Sequence, residues 1–232
     1  RLFGVNAELL IDHAWGWEPC TIAEVKAYKP ENNSTSSGQV LQSPYPYDKA
    51  LIVIKEMAEL STLDLVEKGL VTNQIVLDIA YDVENLKNGE KYAGEIVSDR
   101  YGRRAPKPAH GTVNIGKYSS STKEITEKTV ELFERIVNKN LSVRKLSLTC
   151  NHLISETEVR EADEQLSLFD DYEELEKKRV RQLSELEKEK KMQKAMLKIK
   201  GKYGKNAVIK GLDLQEGATS LERNSQIGGH KA

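Results

Sequence analysis

STKEITEKTVELFERIVNKNLSVRKLSLTC, residues 121–150, carries two different periods in succession. Ile125, Thr129, Leu132, Phe133, Ile136 and Val137 recur at helical spacing and form one apolar stripe. Ser121 and Glu124 have the spacing of a capping box, in which each side chain satisfies the other residue's free backbone N–H. The period then falls to two. Leu146, Leu148 and Cys150 alternate with Ser147 and Thr149, which predicts a strand with one buried face.

The same alternation recurs upstream. Val113 and Ile115 alternate with Thr112, Asn114 and Gly116, and Ile75, Leu77, Ile79 and Tyr81 alternate with Val76, Asp78 and Ala80. A second helix begins around Asp48, with Ala50, Val53, Ile54, Met57, Ala58 and Leu60 on one face and Gly69 as its stop. Gln39 to Leu41 supplies a short first strand. Residues 38–155 therefore predict an α+β domain of order β-α-β-β-α-β. Two helices cover one face of a four-stranded sheet and leave the other face free to bind.

Composition sets bounds. The chain has 232 residues and a net charge of −1, so overall charge does not point to nucleic acid and local charge must. Cys20 and Cys150 are far apart and lack partners at metal-ligand spacing, which predicts two reduced, half-buried thiols in a reducing, cytoplasmic setting. No apolar run approaches the roughly 18–20 residues a membrane span needs. Residues 1–17 read as the end of a helix, with Leu9, Leu10, His13 and Ala14 at helical spacing and Gly16 as a stop. His13 is read as a helix histidine. Residues 18–37 lose periodicity and read as an extended linker.

The connection from about Val83 to Ala109 is long and basic. Arg100, Arg103, Arg104 and Lys107 place four positive charges within eight positions, and Pro106 and Pro108 exclude a helix. A basic loop beside a free sheet face suits phosphate, because Arg and Lys neutralise phosphates and release counterions. Arg144 and Lys145 extend the same patch where they enter the last strand.

Residues 156–172 read as a tether carrying QLSLF, Gln165 to Phe169. Leu168 and Phe169 are suited to an apolar pocket, Leu166 adds area, and the Gln165 amide suits a hydrogen bond at the rim. The surroundings are acidic: residues 161–176 carry eight acidic side chains and no basic one. Charge then reverses, with twelve Lys or Arg against three Glu over residues 177–205. Residues 173–200 predict a charged helix, and two readings stay open for it: a helix lying along DNA, or a solvated helix laced by Glu–Lys pairs. Residues 201–232 read as a flexible tail.

In this order the strands, helices, basic loop and peptide resemble the C-terminal part of the Y-family DNA polymerases, most of all the UmuC-like branch of Gram-positive bacteria. SSGQVL, AHGT and VRKLSLT match strands of the family's little finger domain, and FGVNAELLIDHAWGW is similar to the end of its thumb, with Trp17 and Glu18 a mild departure after Gly16. The resemblance implies translesion synthesis in an SOS-type DNA-repair response. It implies that the little finger grips primer-template DNA through Arg100, Arg103, Arg104, Lys107, Thr112, Lys117, Arg144 and Lys145. It also implies that Gln165, Leu166, Leu168 and Phe169 dock on the sliding clamp.

The chemistry lies elsewhere in that family. Nucleotidyl transfer needs carboxylates that hold two metal ions about 3.5–4 Å apart. The resemblance places those carboxylates, and the Mg2+ expected for the parent enzyme, on an upstream palm. Asp78 and Asp82 share a strand face but are spaced ~13 Å along it, too far to share a metal pair. The chain is expected to hold no cofactor and to be inert alone. A second class of function stays open: a non-enzymatic adaptor that binds nucleic acid and tethers a partner through its tail.

Overall fold

The computed structural model describes residues 7–18, 20–28, 33–87, 92–98, 102–159, 172–227 and 230–231. The chain divides into two compact units, residues 1–32 and residues 33–232. The first contains α1 (Ala7–Ala14) and α2 (Ile22–Ala27), and none of their residues is buried. The expected extended linker is thus partly helical. Its reason is local: Thr21 accepts from the Glu24 backbone N–H, and Glu24 accepts in return from the Thr21 backbone N–H. The Thr21 backbone and side-chain hydrogen bonds hold the Glu24 carboxyl below its usual range.

The second unit is built on β1 (Thr35–Tyr45), α3 (Tyr47–Lys68), β2 (Leu70–Tyr81), β3 (Ile96–Ser98), β4 (Arg104–Pro106), β5 (Ala109–Ser119), α4 (Thr122–Ile136), β6 (Val143–Asn151) and β7 (Ile154–Ser155). The main sheet runs β1-β6-β2-β5, and every pairing in it is antiparallel. The β-α-β-β-α-β order is present, with α3 and α4 on one face. β1 runs well beyond the Gln39–Leu41 expected, because its Thr35–Val40 stretch pairs residue by residue with β6 although few of its side chains are apolar.

Period-two residues from every main strand meet the two helical stripes. Ile75, Leu77, Ile79, Leu146, Leu148 and Cys150 are fully buried against Val53, Ile54, Met57, Ile125, Leu132 and Phe133. Burial pushes the Cys150 thiol up to about 12. Gly69 ends α3 in the left-handed conformation, φ 65°, and its N–H donates back to the Leu65 and Val66 carbonyls. Gly111 serves packing instead: a Cβ there would come within 2.8 Å of Ile136 and 3.0 Å of Leu132, so glycine lets α4 lie close on β5.

The capping box at α4 forms in one direction only. Ser121 Oγ accepts from the Glu124 N–H, but Glu124 turns to Ser119 and Lys117. The remaining donors are met from far along the chain. In α5 (Tyr172–Tyr203), the Glu189 carboxylate accepts from the Ser121 hydroxyl at 2.7 Å and from the Lys123 N–H at 3.0 Å. Gln193, 3% exposed, donates to the Ser120 carbonyl and Thr122 Oγ1, both at 2.9 Å.

Beyond α5 the structure corrects the expectation of a flexible tail. A turn at Gly211–Leu214 leads into α6 (Ser220–Asn224), which packs on α3 and β1. Glu56 of α3 is 2% exposed. Its carboxylate accepts from Thr219 N–H at 2.9 Å and Ser220 N–H at 3.1 Å, the free donors at the start of α6. Arg223 and Thr219 both donate to Gln39 Oε1, and Lys49 pairs with Glu216. Sequence periodicity misses this because the contacts are polar and nearly all long-range.

Candidate nucleic-acid interface

The sheet face away from α3 and α4 is polar and built from small side chains. The strand register lines them up in rows. Gly38, Ser147, Asp78 and His110 form one row, and Ser36, Thr149, Val76 and Thr112 form the next. Asn151, Gln74 and Asn114 form a third, joined across the strands by amide hydrogen bonds of 3.0 and 2.9 Å. Thr149 donates to Ser36 at 2.9 Å within the second row. These hydroxyls and amides are held flat by their neighbours, and groups of this kind contact phosphate and sugar without reading sequence.

Cations sit at the margins of this face. Lys145 is exposed and stands level with Val40 on one side and Ala80 on the other. Thr112 is exposed on β5, and its carbonyl accepts from Arg135 at 2.9 Å. The long basic connection is not a plain loop. After a 3-10 turn at Val83–Leu86 it forms the hairpin β3–β4 and enters β5 beside His110. Arg103 and Arg104 are exposed there. Lys107 pairs with Glu95 at 2.8 Å, which raises its pKa above the ordinary lysine value, and its N–H donates to the Glu95 carbonyl.

Two more of the expected phosphate contacts, besides Lys107, already have protein partners. Lys117 pairs with Glu124 at 2.6 Å. Arg144 turns away from Lys145: its guanidinium donates to the Gln42 carbonyl at 2.9 Å and lies 3.6 Å from the buried Asp82 carboxylate, bracing the irregular register between β1 and β6. Arg100 lies outside the described residues, as do Gln165, Leu166, Leu168 and Phe169.

Sequence reasoning missed His110 and Asp78, which face each other across β5 and β2 with Nδ1 to Oδ1 at 2.6 Å. The signal was available, since period two in AHGT puts His110 on the same face as Thr112. Asp82 instead caps the 3-10 turn by accepting from Glu84 N–H. Among the described residues no group of three or more His, Cys, Asp or Glu side chains could hold a metal ion. No helix among the described residues is long and apolar enough to cross a membrane.

The family model of the impB/mucB/samB family C-terminal domain matches residues 32–168 of this chain. No curated protein matches it.

Proposed function

Because the chain belongs to the impB/mucB/samB family through its C-terminal domain, a Y-family DNA polymerase domain, we propose that it is the DNA-gripping, clamp-docking portion of a translesion polymerase. The observation that carries this reading is the open sheet face. It is broad and polar, with Asp78, His110, Thr112 and Lys145 exposed on it, and basic Arg103 and Arg104 are exposed in the connection that leads into β5. Such a face holds a backbone through many weak contacts, and this suits a protein that must hold DNA of any sequence, damaged or not.

The clamp peptide adds a second point of attachment. Leu168 and Phe169 supply the apolar anchors and Gln165 and Leu166 the rim contacts. Two weak contacts joined by one chain raise local concentration, so DNA and clamp would each strengthen the other's hold.

The test is binding to a labelled primer-template of random sequence across a salt series. Log affinity is expected to fall with log salt by about 0.9 per phosphate contacted. The triple substitution His110→Ala, Thr112→Ala, Lys145→Ala is expected to weaken binding to every sequence alike. Unchanged binding by that variant would remove the open face from the account. Leu168→Ala with Phe169→Ala is expected to abolish binding to a bacterial sliding clamp while leaving DNA binding intact.

A further inference from the structure

The helix α5 presents two opposed faces. Stepping about 100° per residue, Glu189, Gln193, Met196 and Leu197 fall on the arc turned toward α3 and the start of α4, where Glu189 and Gln193 make their bonds. Lys188, Lys191, Lys198 and Lys202 fall on the opposite arc, with Lys194 at its margin, and all five are exposed. Between Lys188 and Lys205 there are eight lysines and one acid. That acid is Glu189, and it is turned inward.

The spacing is unfavourable for a helix standing alone. Lys190, Lys194, Lys198 and Lys202 follow one another at four-residue steps, where like charges repel and a Glu would attract. Lys190 is relieved by an ion pair with Glu156. Lys188, Lys191, Lys194 and Lys198 have no ion-pair partner among the described residues, and Lys202 lies over the Tyr203 ring. The acid-paired pattern of a solvated helix is present further up, at Arg181–Glu185.

From Lys188 to Lys202 the helix rises about 21 Å. One strand of duplex DNA presents a phosphate every ~3.4 Å of axis, so about six phosphates fit along five lysines. Because α5 packs on the helical layer, its outer arc faces away from the side of the domain that carries the open sheet.

We propose that Lys188, Lys191, Lys194, Lys198 and Lys202 form a second phosphate-backbone track on the back of the domain, separate from the open sheet face. The inference rests on the DNA-binding reading above, and it adds a contact which one straight duplex lying on the sheet does not reach. The track takes a second stretch of duplex, whose strand spaces its phosphates to match the run of lysines.

The experiment uses the 232-residue chain with a labelled random-sequence duplex and, in parallel, a single strand. The variant carries Lys→Gln at all five positions, which retains helix propensity, and its helix content is checked by circular dichroism. The salt slope is expected to fall by about 4.5 units for duplex, at roughly 0.9 per phosphate lost, against about 3.5 if a single strand were held, at roughly 0.7. A lost slope for the single strand with the duplex slope unchanged would overturn duplex as the occupant. Lys→Arg at the same positions is expected to keep the slope. Should the five-fold variant fail to fold, Lys191→Gln with Lys198→Gln is expected to lower the duplex slope by about 1.8. An unchanged slope in a folded variant overturns the track. The sheet variant with Ala at 110, 112 and 145 separates the two ideas: full binding by it with loss in the helix variant removes the sheet face and leaves the track standing. The reverse removes the track alone.

Discussion

Residues 7–28 are rich in large apolar side chains and bury none of those described, with Trp15 86% exposed and Ile22 75% exposed. Residues 204–226 are mostly polar, yet they pack on α3 and β1 and bury Ser220 to 6%. The difference lies in partners. At the C-terminal end a buried acceptor, Glu56, meets two backbone donors that α6 would otherwise leave unpaired. Hydrophobic content stabilises a segment only where a complementary surface covers it; a polar segment docks where its donors and acceptors are matched one by one.

The strongest way to break this comparison is Glu56→Ala. It strands the Thr219 and Ser220 N–H groups, and burial already lowers the Arg223 pKa despite the Glu56 charge. Loss of about 2–3 kcal/mol is expected from buried donors left unpaired, read as a lower urea midpoint, with faster amide exchange at 219–223. Glu56→Gln should recover part of it, and unchanged exchange there would show that the latch holds nothing.

The two cysteines sharpen the comparison chemically. Cys20 is exposed and Cys150 is buried. Cys20 is expected to react with iodoacetamide in the native protein, Cys150 only after unfolding. The Cys150 thiol titrates near 9 when unfolded and at about 12 when folded, raised by burial and then by Asp64. The unfolded chain therefore loses this proton first, and stability falls as pH rises from 9 toward 12. The slope approaches about 1.4 kcal/mol per pH unit, and Cys150→Ala should remove it.

The smallest effect belongs to the N-terminal unit. Trp15→Ser is expected to shift stability by less than about 0.5 kcal/mol, as for surface substitutions generally. A larger loss in thermal unfolding would mean that Trp15 is covered in solution.

Much of the domain was legible without coordinates. Period two in residues 75–81, 113–115 and 146–150 and period 3.6 in 50–60 and 125–137 placed the core elements other than β1, because burial on one face imposes its repeat on the residues themselves. The stop at Gly69 was legible for the same reason, a local backbone demand. The site was legible as a surface but not residue by residue. Lys117, Arg144 and Lys107 look alike as cations in a string of letters. Only the fold brings Glu124, Asp82 and Glu95 to them and leaves Lys145 open on the sheet.

The sequence by itself determined the β-α-β-β-α-β order, the apolar core and the charge reversal after residue 176, since each is written in neighbouring residues. Tertiary structure alone decided that Glu189 caps the start of a helix 66 to 68 residues upstream, that Glu56 latches α6, and that α5 turns one arc of lysines outward. Those contacts join groups far apart in the chain, and a hydrogen bond between distant residues leaves no period behind.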